Sequence, residues 1–101
     1  MDDIAREYAT RIRARLGPRV QEIRLFGSRA RGDARQYSDY DMLVVLDRRT
    51  PEFRAEILDI TSRIMDKYDV LIATVLRSMD EWQKSQGYPF ARNIARESMI
   101  L

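Results

Sequence analysis

The sequence predicts an α/β (α+β) fold, because segments with helical spacing alternate with three short apolar runs of strand character. Apolar residues recur three or four apart in two long segments, Ile4-Tyr8-Ile12-Leu16 and Phe53-Ile57-Ile60-Ile64-Tyr68. Between and after them stand Val20 to Phe26, Met42 to Leu46 and Asp69 to Leu76, which are short, apolar and bounded by turn or charged residues. The middle run is apolar on both faces, as expected of a central strand covered by helices on at least one side. At 101 residues the chain reads as a single domain, residues 1–101, with a core but no second lobe.

Each element has a local reason. Asp2-Asp3 puts capping acids at the positive end of the first helix, and Gly17-Pro18 ends it. In the first strand Ile23 and Leu25 share one face. Segment 28–38 is polar and reads as a short helix plus a loop. Asp47-Arg48-Arg49 closes the second strand. Thr50-Pro51-Glu52 combines a hydroxyl cap, proline at the first helical position and an acid in the first turn. The third strand is rich in β-branched residues. Ser78-Met79-Asp80-Glu81 is a capping box that opens a short helix through Trp82, and Gly87-Tyr88-Pro89 breaks it. Phe90, Ala91 and Ile94 mark a last helix, and Met99-Ile100-Leu101 is an apolar tail.

Composition excludes several chemistries. Without Cys there is neither a disulfide framework nor a thiolate zinc site, and without His there is no Ser-His triad or histidine base. Catalysis must rest on carboxylates, hydroxyls, Arg and metal. No run reaches the length of a membrane span and the acidic start lacks a signal-peptide pattern, so a cytoplasmic location is expected. All but Lys67 and Lys84 of the 18 basic residues are Arg, but a net charge of +2 makes no case for direct nucleic-acid binding and reads as a solvated surface.

The chemistry concentrates between Leu25 and Leu46. An apolar run stops at Gly27-Ser28, passes through an arginine-rich segment and meets Asp39-Tyr40-Asp41 at the mouth of the buried strand. Strand side chains alternate, so Asp39 and Asp41 point one way and Tyr40 the other. Two close carboxylates each prefer a cation to one another, and rigid oxygen ligands that can share an ion with phosphate suit Mg²⁺. Gly27-Ser28, where a strand gives way to a helix start, offers backbone N–H groups and a hydroxyl to an anion. Asp69 opens the third strand as Asp39 and Asp41 open the second. If those strands lie parallel and adjacent, three acids meet at one edge, and two metals about 3.5–4 Å apart can clamp a displacement at phosphorus. Asp69 then holds a metal or accepts the nucleophile's proton; otherwise it caps a strand entrance.

Other readings of the stretch fail on chemistry. Gly27 and Gly32 have P-loop spacing, but Asp33-Ala34 replaces the required Lys-Ser/Thr. Asp39-Tyr40-Asp41 is no calcium loop, since aliphatic residues follow. A lone Asp-x-Asp also reads as a polar strand entrance.

The whole constellation, Gly27-Ser28, ten intervening residues, Asp39-Tyr40-Asp41 and a later Asp69, resembles the nucleotidyltransferase superfamily signature. In detail, residues 27–35 with Ser38-Asp39-Tyr40-Asp41 are similar to the small MNT proteins, the minimal nucleotidyltransferases. Trp82 and the segment 90–98 resemble the closing helix of that family, with Ser98 where Gly is usual. The resemblance implies a nucleotidyltransferase fold with a three-stranded mixed sheet flanked by four to five helices. It implies Mg²⁺, in a two-ion site, and ATP as substrate. Gly27 and Ser28 take the family's phosphate-side positions, and Asp39, Asp41 and Asp69 its metal acids. Arg29, Arg31 and Arg35 lie in its basic segment, and which of them reaches phosphate stays open. It further implies an antitoxin that transfers AMP from ATP to a tyrosine of a partner HEPN ribonuclease toxin. Two alternatives stand beside this: a module that neutralises its partner by contact alone, and a transferase subunit for a small molecule or an RNA end.

Overall fold

A computed structural model describes residues 2–32 and 39–101. The motif positions Asp33, Ala34, Arg35 and Ser38 lie outside the described residues. In chain order the elements are α1 (Asp3–Leu16), a 3₁₀ turn (Gly17–Arg19), β1 (Val20–Phe26), α2 (Ser28–Arg31), β2 (Tyr40–Leu46), α3 (Pro51–Tyr68), β3 (Ile72–Ser78), α4 (Met79–Lys84), α5 (Pro89–Glu97) and β4 (Met99–Ile100).

The helix starts follow from their caps. Asp2 Oδ1 accepts from the N–H groups of Ile4 and Ala5 at 3.0 and 3.2 Å, and Thr50 Oγ1 from Phe53 N–H at 3.1 Å. At α4 the capping box closes both ways. Ser78 Oγ accepts from Glu81 N–H at 3.1 Å, and a Glu81 carboxylate oxygen accepts from Ser78 N–H at 2.8 Å. The Arg49 guanidinium grips the same carboxylate in two places, at 2.6 and 2.8 Å, and together these donors hold the Glu81 carboxyl down at about 2.

The sheet is mixed, in the order β3-β2-β1-β4. β1 runs antiparallel to β2 and β4, whereas β2 and β3 are parallel. A parallel pair needs a crossover, and the 18-residue α3 supplies it. The entrances of β2 and β3 therefore lie side by side.

Three expectations are corrected. The sheet has four strands rather than three, because Met99 and Ile100 of the apolar tail pair with Leu25 and Arg24 of β1. The second strand begins at Tyr40, not Met42. The third begins at Ile72, not Asp69. Asp69 instead terminates α3 in the left-handed conformation, φ 53° and ψ 50°, with its N–H donating to Met65 O. Asp is among the few non-glycine residues that adopt this conformation readily.

Period two divides β2 between two cores. Tyr40, Met42, Val44 and Leu46 pack with Tyr8 and Ile12 of α1 and Ile57, Ile60 and Ile64 of α3. Leu43 and Val45 pack on the opposite face with Trp82 of α4 and Ala91 and Ile94 of α5. Helices thus cover both faces of the sheet, which is why the run read as apolar throughout.

One polar chain crosses the first core. Thr61 Oγ1 donates to Ile57 O at 2.7 Å, so the Tyr8 hydroxyl, 2.7 Å from Thr61 Oγ1, must donate to it. That fixes Thr74 Oγ1, 2.8 Å away, as the donor to Tyr8. Tyr8→Phe strands an acceptor and a donor at once. It is expected to lower stability by about 1–3 kcal/mol, read as a lower denaturation midpoint at unchanged m-value; an unshifted midpoint contradicts the assignment.

Candidate active site

The predicted residues gather where β1 ends and β2 begins. β1 stops at Phe26, Gly27 turns the chain with φ +75°, and Ser28 opens α2. Phe26 stands directly opposite Asp41 in the β1–β2 pairing, and Asp41 opposite Ala73 in the β2–β3 pairing. Side chains in register share a face, so Phe26, Asp41 and Ala73 form one row on the face covered by α4 and α5. Asp39, one residue before β2, is exposed. Tyr40, between the two acids, is buried on the other face at 3% exposure, as alternation requires.

Gly27 touches Asp41 as closely as a glycine can. A Cβ on Gly27 would stand 2.3 Å from Asp41 Oδ2, closer than a side chain can come without something moving, and 3.2 Å from its Cγ. The Gly27 turn and the Asp41 carboxylate are therefore in direct contact. Burial raises the Asp41 carboxyl above its ordinary value, the neighbouring Asp39 charge adds to the rise, and the Arg31 guanidinium opposes it. A cation brought to the pair relieves both unfavourable causes.

The two arginines sit differently. Arg31 Nη1 lies 3.6 Å from Glu97 Oε2 of α5, and its charge reaches Asp41. Arg29 stacks over the Tyr40 ring, with Cζ 4.0 Å from the centroid, and its Nη1 lies 3.6 Å from Asp2 Oδ2. The Tyr40 hydroxyl donates to the Asp2 carboxylate at 2.8–2.9 Å, and burial together with that carboxylate pushes the phenol up to about 12. Asp2, Arg29 and Tyr40 thus clamp the start of α1 and the turn after Gly27 to the entrance of β2. The sequence showed the cap at Asp2 and the inward Tyr40, but nothing in it joined them to Arg29.

Asp69 stands at the same end of the parallel pair, two residues before Leu71, whose carbonyl accepts from Tyr40 N–H at 2.9 Å. Its place is the helix terminus, not the Asp41 row. Among the described residues no group of three acids is placed to hold one metal ion.

A cavity of about 290 Å³ opens beside Gly27, walled by Phe26 and Arg31 from below and by Phe90, Asn93 and Glu97 of α5 from above. Sequence reasoning gave Phe90 only a place in the last helix. Its signal was available: an aromatic directly after Pro89 that does not share the buried Ala91–Ile94 stripe.

Donor chemistry fits Mg²⁺ in one respect and leaves it incomplete in another. Two carboxylates at a strand entrance, open to further oxygens from a triphosphate and water, are the set Mg²⁺ takes in phosphoryl-handling sites. A ligand sphere built wholly from protein is not what these residues offer. No helix among the described residues is long and apolar enough to cross a membrane.

Comparison with known proteins agrees with this arrangement. The nucleotidyltransferase domain family model matches residues 5–101. A Methanocaldococcus jannaschii protein named "Putative protein adenylyltransferase MJ0604" is 31% identical over 96 residues, covering 95% of this chain and 92% of its own length. A solved structure of a "putative minimal nucleotidyltransferase" superposes with TM-score 0.61 at 26% identity, covering 99% of this chain and 97% of that one. A complex of tri-AMPylated Shewanella oneidensis HEPN toxin with MNT antitoxin matches with TM-score 0.57, covering 99% of this chain and 71% of that one. At 17% identity this last likeness is one of fold alone. With a glycine–serine turn set against an acid pair at a strand entrance, and a family model spanning nearly its whole length, the chain belongs to the nucleotidyltransferase domain family and is a nucleotidyltransferase enzyme.

Proposed function

We propose that this chain is a protein adenylyltransferase that moves AMP from ATP to a tyrosine hydroxyl of a partner HEPN toxin, and so acts as its antitoxin. The observation that carries the reading is the contact between Gly27 and Asp41, which sets a phosphate-accepting turn against a metal-ligating carboxylate. The curated relative is named for protein adenylyltransfer, and the Shewanella structure pairs an AMPylated HEPN toxin with its MNT partner, which supports the same acceptor class here.

The roles follow from position. The Gly27-Ser28 turn receives the triphosphate, its backbone able to approach because no Cβ intervenes. Arg31 adds positive charge on the same side, whereas Arg29 holds the turn in place through Tyr40 and Asp2. Asp39 and Asp41 would hold Mg²⁺, which when bound would neutralise phosphate charge and polarise the phosphoryl group. The acceptor oxygen attacks the α-phosphorus, the bond to the β-phosphate oxygen breaks, pyrophosphate leaves and the hydroxyl proton is released to water. Labelled ATP tests the reaction class: label on the α-phosphate should pass to the acceptor protein and label on the γ-phosphate should not. Transfer of γ-label would make the chain a kinase and overturn the reading.

Asp69 remains a candidate third acid by the family's pattern, and its place at the end of α3 argues for a lesser share. Asn tolerates the left-handed conformation, so Asp69→Asn removes the charge without disturbing the helix end. It is expected to keep the parental melting temperature and to lose at least about tenfold less transfer than Asp41→Asn, that is, about 1.4 kcal/mol less. Equal losses in the two variants would restore Asp69 to the metal site.

A further inference from the structure

Building on that reading, we infer that the cavity between the Gly27 turn and α5 seats the base of the nucleotide, a purine, with Phe90 as its stacking wall and Asn93 as its edge contact. Gly27 belongs both to the phosphate turn and to this cavity, and so does Arg31, whose charge reaches Asp41. A nucleotide with its triphosphate at Gly27-Ser28 therefore has the cavity directly beside it.

Size and chemistry fit the base and not the whole nucleotide. At about 290 Å³ the cavity is just below the range that holds a complete drug-sized ligand, and one fused ring system suits it. Two of its walls are aromatic: Phe26 and Phe90 meet edge to face, with centroids 5.8 Å apart and planes at 89°. Phe90 is 43% exposed although Ala91 and Ile94 of the same helix are buried, so the core does not consume its ring. Every base offers a π-face, and the larger purine gains more from stacking. Asn93 lines the cavity, and with its Oδ1 accepting from Arg96 at 3.0 Å the amide N–H₂ is the group left to donate to ring-nitrogen or carbonyl acceptors on a base edge. The ion pair of Arg31 with Glu97 at 3.6 Å ties α2 to α5 across the cavity. A larger cavity of about 470 Å³ lined by Arg49, Thr50, Arg54 and Leu58 lies at the other end of the strands and shares no residue with the turn.

Calorimetric binding of α,β-methylene ATP, its cytidine counterpart and inorganic tripolyphosphate, each with Mg²⁺, tests the assignment without turnover. Phe90→Ala should weaken the adenosine analogue roughly tenfold and leave tripolyphosphate unchanged, while Phe90→Tyr restores parental affinity. Asn93→Ala should narrow the preference for adenosine over cytidine. Parental affinity for the adenosine analogue in Phe90→Ala, or an equal loss of tripolyphosphate binding, overturns the base seat while the nucleotide site stands. A parental chain that binds none of the three removes the nucleotide reading, and the seat with it.

Discussion

Gly27→Ala is expected to lower AMP transfer at least about a hundredfold, because misplacing a reacting group by about an ångström has consequences of that order. The added methyl would stand 2.3 Å from Asp41 Oδ2. One of the two must move, and the flexible partner is the carboxylate, so the methyl displaces the acid from the turn it serves. The backbone contributes as well: φ +75° with ψ −157° at position 27 is a conformation essentially confined to glycine, which alanine occupies only under strain of about 1–3 kcal/mol. The variant should therefore fold, melt a few degrees lower and bind Mg²⁺ with ATP poorly. Transfer at the parental rate would mean that the turn and the acid do not act together.

Asp41→Asn should reduce transfer at least about a thousandfold, as expected when several kcal/mol of charge stabilisation are lost. Its effect on stability has the opposite sign. Burial and Asp39 raise the folded-state carboxyl above its ordinary value, with Arg31 opposing. Such a group contributes stability that is complete below the unfolded value and is lost as pH rises through the folded one. At neutral pH without metal the ionised side chain therefore opposes folding, and the asparagine variant should be at least as stable as the parent. The difference should vanish in acid, where the parental carboxyl is protonated, and should reverse when Mg²⁺ is added. Thermal melts across pH with and without Mg²⁺ check this, and a variant that unfolds at neutral pH contradicts it.

What could be read from the sequence was set by periods and caps. Alternation alone placed Tyr40 inward and the two acids together, and the Thr50 and Ser78 signatures located the starts of α3 and α4 to the residue. Features set by non-local contacts were not legible. The run from Val70 to Leu76 has strand character throughout, yet pairing with β2 in strand geometry begins at Ile72, and α3 uses Asp69 to end its last turn. Met99 and Ile100 become a fourth strand only because β1 has a free edge beside them. Arg29 read as one of several arginines near phosphate because a sequence does not show that an aromatic ring eleven positions later stacks beneath it. The row of Phe26, Asp41 and Ala73 likewise exists only in the register of three strands.

The measurement that bears most directly on the central claim separates a catalyst from a contact inhibitor. A transferase needs to meet its acceptor only transiently, since the covalent product outlasts the encounter, and attached AMP adds a bulky anion able to exclude RNA from a ribonuclease site. A contact inhibitor must remain bound through a large interface. The proposed HEPN partner is incubated with a small molar fraction of this chain and Mg-ATP, the chain is removed, and ribonuclease activity and intact mass are recorded. The predicted result is an inactive partner that stays inactive and carries AMP on tyrosine, in excess of the chain supplied. Inactivation that requires equimolar chain, proceeds without ATP and survives Asp39→Asn combined with Asp41→Asn would contradict it.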